Sequence, residues 1–236
     1  MQVLAIDCTA KSVSAAIAKD GKILGETFLN IPLTHSETLI PIVEQLLINT
    51  KSALSDIDAL AVTTGPGSFT GVRIGVSAIK GLSFAEEKKV FAYSALRAAA
   101  LPFANISGLS CTVVALMDAR CNQFYNAIFK VENGALTRVT EDRIIVLKDL
   151  ENELNTLYND DNVIFVGDGA RLFYELSGEK IGSLAPENLI FQNASAIAIN
   201  ATGRSLDEAK SPKEIAPLYL RKSQAEREKE KANSTK

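Results

Sequence analysis

The chain has 236 residues, 47% hydrophobic and 22% charged, which fits a globular protein long enough for one large or two small domains. A net charge of −3 argues against gripping a nucleic-acid backbone unaided, and no apolar run approaches the roughly 20 residues of a membrane span. The N-terminus opens directly on a strand-like run without a basic stretch or cleavage site, which points to the cytoplasm; Cys8, Cys111 and Cys121 lack Cys-x-x-Cys spacing and read as reduced structural thiols.

Three strands come first, at Val3–Ile6, Val13–Ala18 and Ile23–Leu29, with Asp20-Gly21 as the hairpin turn between the last two. Thr34-His35-Ser36-Glu37 has capping-box spacing and heads a helix to about Lys51, with Pro41 implying a kink or a later start. A strand over Asp58–Thr64 leads into a glycine-rich loop. A helix over about Val72–Glu86, a short strand at Val90–Ala92 and a helix near Ser94–Phe103 follow. After Gly108 come strands at Thr112–Met117, Phe124–Val131 and Leu136–Ile145, with Asn133-Gly134 as a turn. A helix over Leu147–Tyr158, a strand at Val163–Val166 and a helix from Asn193 to about Leu206 complete the elements.

The order of elements repeats. Leu4-Ala5-Ile6-Asp7 lies against Ala115-Leu116-Met117-Asp118, Ala15-Ala16-Ile17 against Asn126-Ala127-Ile128, and Asp20-Gly21 against Asn133-Gly134. A duplicated βββαβ unit is the ground plan of the actin-like ATPase fold: an α/β protein of two ribonuclease-H-like βββαβα lobes, here with the second smaller and less regular. The expected divisions are a first lobe over 1–104, a second over 105–193, a C-terminal helical segment over 194–221 packing back on the first lobe, and a charged tail over 222–236.

Between a strand and a helix stands Gly65-Pro66-Gly67-Ser68-Phe69-Thr70-Gly71-Val72-Arg73-Ile74-Gly75. Such a turn can offer backbone N–H groups to an anion, or it can be a tight structural turn; it is neither a P-loop nor Gly-x-Gly-x-x-Gly. It closely resembles the signature of the TsaB family, with Gly65, Pro66, Gly67, Ser68, Phe69, Thr70, Gly71 and Arg73 as its signature loop. Leu4–Asp7, His35-Ser36-Glu37, Asp118-Ala119-Arg120, Gly167-Asp168-Gly169-Ala170 and Pro217-Leu218-Tyr219-Leu220-Arg221 also match. The resemblance runs to Arg221.

The resemblance implies a non-catalytic subunit of the machinery that places threonylcarbamoyl on the tRNA adenosine next to the anticodon. Its partners would be a TsaD-like catalytic subunit and a TsaE-like ATPase, with a homodimer when alone and tRNA contacted only indirectly. It implies no cofactor of its own, ATP and a metal being used by the partner subunits. TsaD relatives hold their metal through His-x-x-x-His; this chain has one histidine, His35, and Tyr93-Ser94-Ala95-Leu96-Arg97-Ala98 at the corresponding place. A lone histidine at a helix start reads as a capping or surface group.

In actin-like folds the turn after the first strand faces phosphate, and a glycine-rich segment of the second half faces adenosine. Asp7, Thr9, Gly167 and Gly169 stand there, but the first turn lacks a glycine and Asp168 splits the second pair, which implies a vestigial cleft. On the first long helix Leu39, Ile42, Val43 and Leu46 make the core stripe, leaving Ile40 and Leu47 to the side. The next helix has Gly71, Gly75, Ala78 and Gly81 at three-to-four spacing beside Val72, Val76 and Ile79. Family resemblance implies pairing through these two helices, over Ile40, Leu47, Gly71, Val72, Gly75, Val76, Ala78 and Ile79. On that expectation Gly75→Leu blocks pairing and leaves the monomer folded. The rivals are an actin-like small-molecule kinase, which needs a working nucleotide cleft, and a hydrolase using Ser68 or Thr70, which lacks a Gly-x-Ser-x-Gly elbow.

Overall fold

The computed structural model describes residues 1–221 apart from 33, 85, 159–161 and 178–180; the tail expected over 222–236 lies outside the described residues. Strand β1 (Gln2–Asp7) is buried throughout, as befits a central strand covered on both faces. It pairs antiparallel with β2 (Val13–Lys19), which pairs with β3 (Lys22–Leu29) across the Asp20-Gly21 turn. Helix α1 (His35–Asn49) leads to β4 (Ala59–Thr63), and α2 (Phe69–Phe84) to β5 (Val90–Tyr93); both strands are parallel additions, giving the order β3-β2-β1-β4-β5. Helix α3 (Ala95–Ala100) closes the unit.

The second half repeats this plan. Strands β6 (Cys111–Asp118), β7 (Gln123–Glu132) and β8 (Ala135–Arg138) form the antiparallel set, with β9 (Arg143–Val146) also paired to β7. Helix α4 (Leu147–Leu157) precedes β10 (Val163–Val166), and α5 (Ala170–Leu176) precedes β11 (Ser183–Leu184), for an order β8-β7-β6-β10-β11. The two hairpin turns share their backbone: φ is 50° and 78° at Asp20 and Gly21, and 50° and 82° at Asn133 and Gly134. Positive φ at two successive residues is the turn matched to strand twist. Position by position the repeat slips: Ala15 faces Ile6, whereas Asn126 faces Leu116 rather than Met117, so Tyr125 is the counterpart of Ala15.

Each unit's last helix crosses to the other sheet. Helix α3 packs on β6 and β7, while α6 (Ala194–Thr202) packs on β1, β2 and β3. Alternation along the first sheet explains both faces. Leu4, Ile6, Ile17, Leu60 and Val62 join α1 and α2 in one cluster, and Ala5, Ala16, Ala18, Ala59 and Ala61 meet Ala194, Ala198 and Ala201 of α6 in another. Small side chains on both sides let α6 lie close.

Several expectations change. Thr34 is at the α1 cap position, but its side chain caps nothing; its carbonyl accepts from Glu37 N at 3.1 Å and Thr38 N at 3.3 Å instead. The helix has no later start, and Pro41 sits inside it. The strand expected over Leu136–Ile145 is two strands, because Thr140-Glu141-Asp142 interrupts it. The 194–221 segment is α-helical only to Thr202; beyond it come 3-10 turns at Leu206–Glu208 and Pro212–Glu214. Helix α5 was not anticipated.

Candidate functional site

The signature loop packs against its own chain. A Cβ on Gly71 would lie 2.0 Å from the Cys8 carbonyl oxygen, and one on Gly67 would lie 2.3 Å from that of Thr9. At Gly65, with φ 114°, a Cβ would meet the Leu218 carbonyl oxygen at 2.6 Å. Ser68 N donates to the Thr9 carbonyl at 2.8 Å, and Ser68 Oγ accepts from Gly71 N at 3.2 Å, so this serine heads α2, which starts at Phe69 rather than Val72. The Ser68 and Gly71 N–H groups of the loop are thus taken by acceptors of the chain itself.

Phe69 and Arg73 of the same motif hold the C-terminal segment. The Phe69 and Tyr219 rings stack with centroids 4.3 Å apart, the Arg73 guanidinium lies 4.0 Å over Phe69, and its Nε donates to the Tyr219 hydroxyl at 2.8 Å. Leu218 N donates to the Thr64 carbonyl at 2.7 Å, and Arg221 reaches the Ala119 carbonyl on the second lobe. The loop and the segment at Pro217–Arg221, far apart in sequence, form one structural unit.

The cleft residues are equally occupied. Asp7 Oδ1 accepts from Thr9 N, Thr9 Oγ1 and Thr63 Oγ1, while Gln192 Nε2 donates to Thr9 Oγ1 at 3.1 Å. Burial raises the Asp7 carboxyl above its ordinary value against these bonds. Gly167 N donates to the Ile190 carbonyl and Gly169 N to the Leu116 carbonyl at 3.1 Å. A Cβ on Gly167 would lie 2.1 Å from Leu116 O, and one on Gly169 2.8 Å from Asp118 N. Asp7, Thr9, Gly167 and Gly169 do flank one region, and the N–H groups of Thr9, Gly167 and Gly169 are each taken by an acceptor of their own lobe. Among the described residues no three His, Cys, Asp or Glu side chains are grouped as metal ligands.

A 590 Å³ recess remains between the lobes, with Lys11, His35, Ser68, Asp118 and Asp168 on its walls. His35 Nε2 lies 2.8 Å from the Ala10 carbonyl, so the lone imidazole ties the start of α1 to the β1–β2 turn rather than bonding Ser68 or Thr70. A larger recess, 720 Å³, lies at the end of α2 around Lys80, Phe84 and Lys213, away from the glycine turns and without a nucleophile–base pair.

Asp168 is partly exposed, yet its Oδ1 is buried with no partner among the described residues. Burial pushes its carboxyl up to about 6 from 3.8, with the Asp118 N–H and Lys11 pulling the other way. The folded state therefore holds this proton more tightly than the unfolded chain, and stability falls as pH rises from 3.8 through about 6. For a fully buried group that gap is worth roughly 3 kcal/mol; rim exposure reduces it to about 1–2 kcal/mol. Asp168→Asn is expected to melt about 2–8 °C above the parent at pH 7. The advantage should shrink toward zero near pH 4; thermal melts across that range check it, and an advantage independent of pH would contradict the assignment.

The proposed pairing residues divide. Ile40 is 46% exposed and Leu47 and Ala78 are partly exposed, but Gly71, Val72, Gly75, Val76 and Ile79 are buried in the first lobe's own core. Gly75 faces Cys8 and Val62 at 3.6 and 3.7 Å, so Gly71 and Gly75 let α2 pack on the turn after β1 and on β4. The open face of the two helices carries Ile40 and Ile48 on α1, with Ile74, Ala78 and Gly81 on α2; around Gly81 nothing lies within 4 Å of an added Cβ.

Residues 31–233 match the family model described as TsaD: tRNA N6-adenosine threonylcarbamoyltransferase. The tRNA threonylcarbamoyladenosine biosynthesis protein TsaB of Bacillus subtilis is 28% identical over 226 residues, covering 96% of each chain. The protein of the same name from Haemophilus influenzae is 30% identical over 229 residues, covering 94% of each. A Pseudomonas aeruginosa crystal structure, titled an uncharacterized protein with similarity to peptidase YEAZ, superposes with TM-score 0.79 at 25% identity, over 93% of this chain and 99% of that one.

Proposed function

The chain belongs to the TsaB family, and from that premise we propose that it serves tRNA threonylcarbamoyladenosine biosynthesis as a non-catalytic subunit pairing with a TsaD-type subunit. The observation that carries this reading is the likeness to TsaB proteins over nearly the whole chain. The kinase rival is not favoured, because the glycine turns that would receive a nucleotide are filled by the chain's own carbonyls. The hydrolase rival lacks a base bonded to Ser68.

Pairing is assigned to the open face of α1 and α2. Ile48 is 63% exposed and Ile40 46% exposed there, and the partly buried Leu47, Ile74 and Ala78 add apolar surface beside them. One such face can meet a second copy of itself about a two-fold axis or the corresponding helices of a TsaD-type paralogue, so a homodimer and a heterodimer compete. In this reading the chain holds TsaD in its active form and contributes to the surface that receives a TsaE-type ATPase. ATP and metal chemistry belong to those partners, and tRNA is held by them, in keeping with a net charge of −3 on this chain. Sedimentation velocity of the chain with a purified TsaD-type subunit tests the pairing. The expected result is a one-to-one complex formed at the expense of the self-dimer; independent sedimentation at micromolar concentrations would refute it.

A further inference from the structure

Away from the inter-lobe recess, Arg97, Arg138 and Arg204 converge on a 450 Å³ pocket that also presents Tyr93, Ser94 and Asn200. The three arginines come from separate places: α3, the end of β8, and the chain just past α6. Arg138 Nη1 is paired with Asp142 at 2.6 Å, and Arg204 Nη2 with Glu208 at 2.9 Å. The side chain of Arg97 has neither a hydrogen bond nor an ion pair among the described residues, and the charged groups that act on it are the other two guanidiniums and the Tyr93 phenol.

Ser94 and Asn200 add donors. The Tyr93 hydroxyl donates to Asn200 Oδ1 at 2.9 Å, which leaves the Asn200 amide N–H bonds without a protein acceptor among the described residues. Ser94 Oγ accepts from Arg97 N at 3.3 Å, and its own proton stays available. The one lining carboxylate, Glu208, already accepts from Arg204 and from Ser205 N at 3.1 Å. Asp142 and Glu208 offset two of the three charges gathered in this partly buried recess, and Arg97 is the guanidinium left for a bound anion to neutralise. Arginine's planar fork suits phosphate oxygens, which it meets with two parallel bonds.

We propose that this pocket binds the phosphate groups of a small anion, which then bridges the two lobes through Arg138 on one side and Arg204 on the other. The rim favours a compact ligand over an extended polyanion such as RNA, because the exposed Glu208 carboxylate stands on the pocket's wall and would repel it. This inference does not depend on the family reading.

Calorimetric titration of the full chain with pyrophosphate, and separately with inorganic phosphate, tests it. One saturable site per chain is expected, tighter for pyrophosphate, with a ligand-dependent rise in melting temperature. Arg97→Gln is expected to weaken binding roughly 10- to 100-fold. It should leave the ligand-free melting temperature no lower than the parent's, since no protein partner is lost. If that variant does not fold, Arg97→Lys, which keeps the charge and loses the fork, should weaken binding in the same direction. Arg120→Gln, in the other recess, should change nothing. Unaltered affinity in the Arg97 variant, loss of binding in Arg120→Gln, no saturable heat with either anion, or displacement of pyrophosphate by a short RNA that binds more tightly would each overturn the proposal.

Discussion

Gly71→Ala is expected to melt at least about 10 °C below the parent, or to fail to accumulate in folded form. The added Cβ would lie 2.0 Å from the Cys8 carbonyl oxygen and 3.2 Å from its carbon, both backbone atoms of the buried β1–β2 turn. A side chain could rotate away; this backbone is held, because Ser68 N donates to the next carbonyl, that of Thr9, at 2.8 Å. Strain of this kind belongs to the class costing about 4 kcal/mol or more, and each kcal/mol shifts melting by roughly 2–4 °C at this chain length. Gly81→Ala on the same helix is the opposite case. Nothing lies within 4 Å of its Cβ, so the helix gains roughly 1 kcal/mol of propensity and melting should rise. Thermal unfolding of both variants checks the pair, and a Gly71→Ala protein melting like the parent would mean the signature turn does not seat on Cys8.

The second large effect concerns pairing. Ile40→Asp combined with Ile48→Asp is expected to weaken association with a TsaD-type subunit about 30-fold or more while leaving the monomer's melting nearly unchanged. Both side chains are largely exposed in the monomer, so the substitution removes little internal packing, whereas burying two carboxylates at an interface is costly. Gly75→Leu does not serve as this test. Its Cβ would already touch Cys8 and Val62, and the further leucine carbons overfill the core at a cost of about 1–3 kcal/mol. That variant should unfold more easily, and any lost pairing would follow from the damaged fold. Sedimentation with the wild-type partner, beside melts of each variant alone, separates the two causes; undiminished pairing of the double aspartate variant would move the interface elsewhere.

Much of this architecture can be read from patterns local in sequence. The all-apolar Val3–Ile6 run predicts a strand covered on both faces, and Asp20-Gly21 and Asn133-Gly134 mark two hairpins whose backbone angles agree. The repeated order of elements implies two like sheets, and the strand orders match. What sequence does not carry is the identity of the atom facing each small residue. Gly71 and Gly75 read as a face for a partner helix, yet they face Cys8 on the chain's own first turn. Helix α5 is short, and with only Ala170 and Phe173 buried it shows too little periodicity to stand out. The arginine pocket joins positions 97, 138 and 204, which only the crossing of α3 and α6 brings together. Likewise Tyr219 belongs with Phe69 and Arg73 only once the C-terminal segment lies across the loop.

The most direct measurement is threonylcarbamoylation of unmodified tRNA in a reconstituted mixture with and without this chain. The mixture contains TsaD- and TsaE-type subunits, the enzyme that makes threonylcarbamoyl-adenylate, ATP, threonine and bicarbonate. Modified adenosine is expected only when the chain is present, with activity lost in the Ile40→Asp, Ile48→Asp variant. Equal modification in its absence, by partners shown competent with their own TsaB protein, would contradict the account.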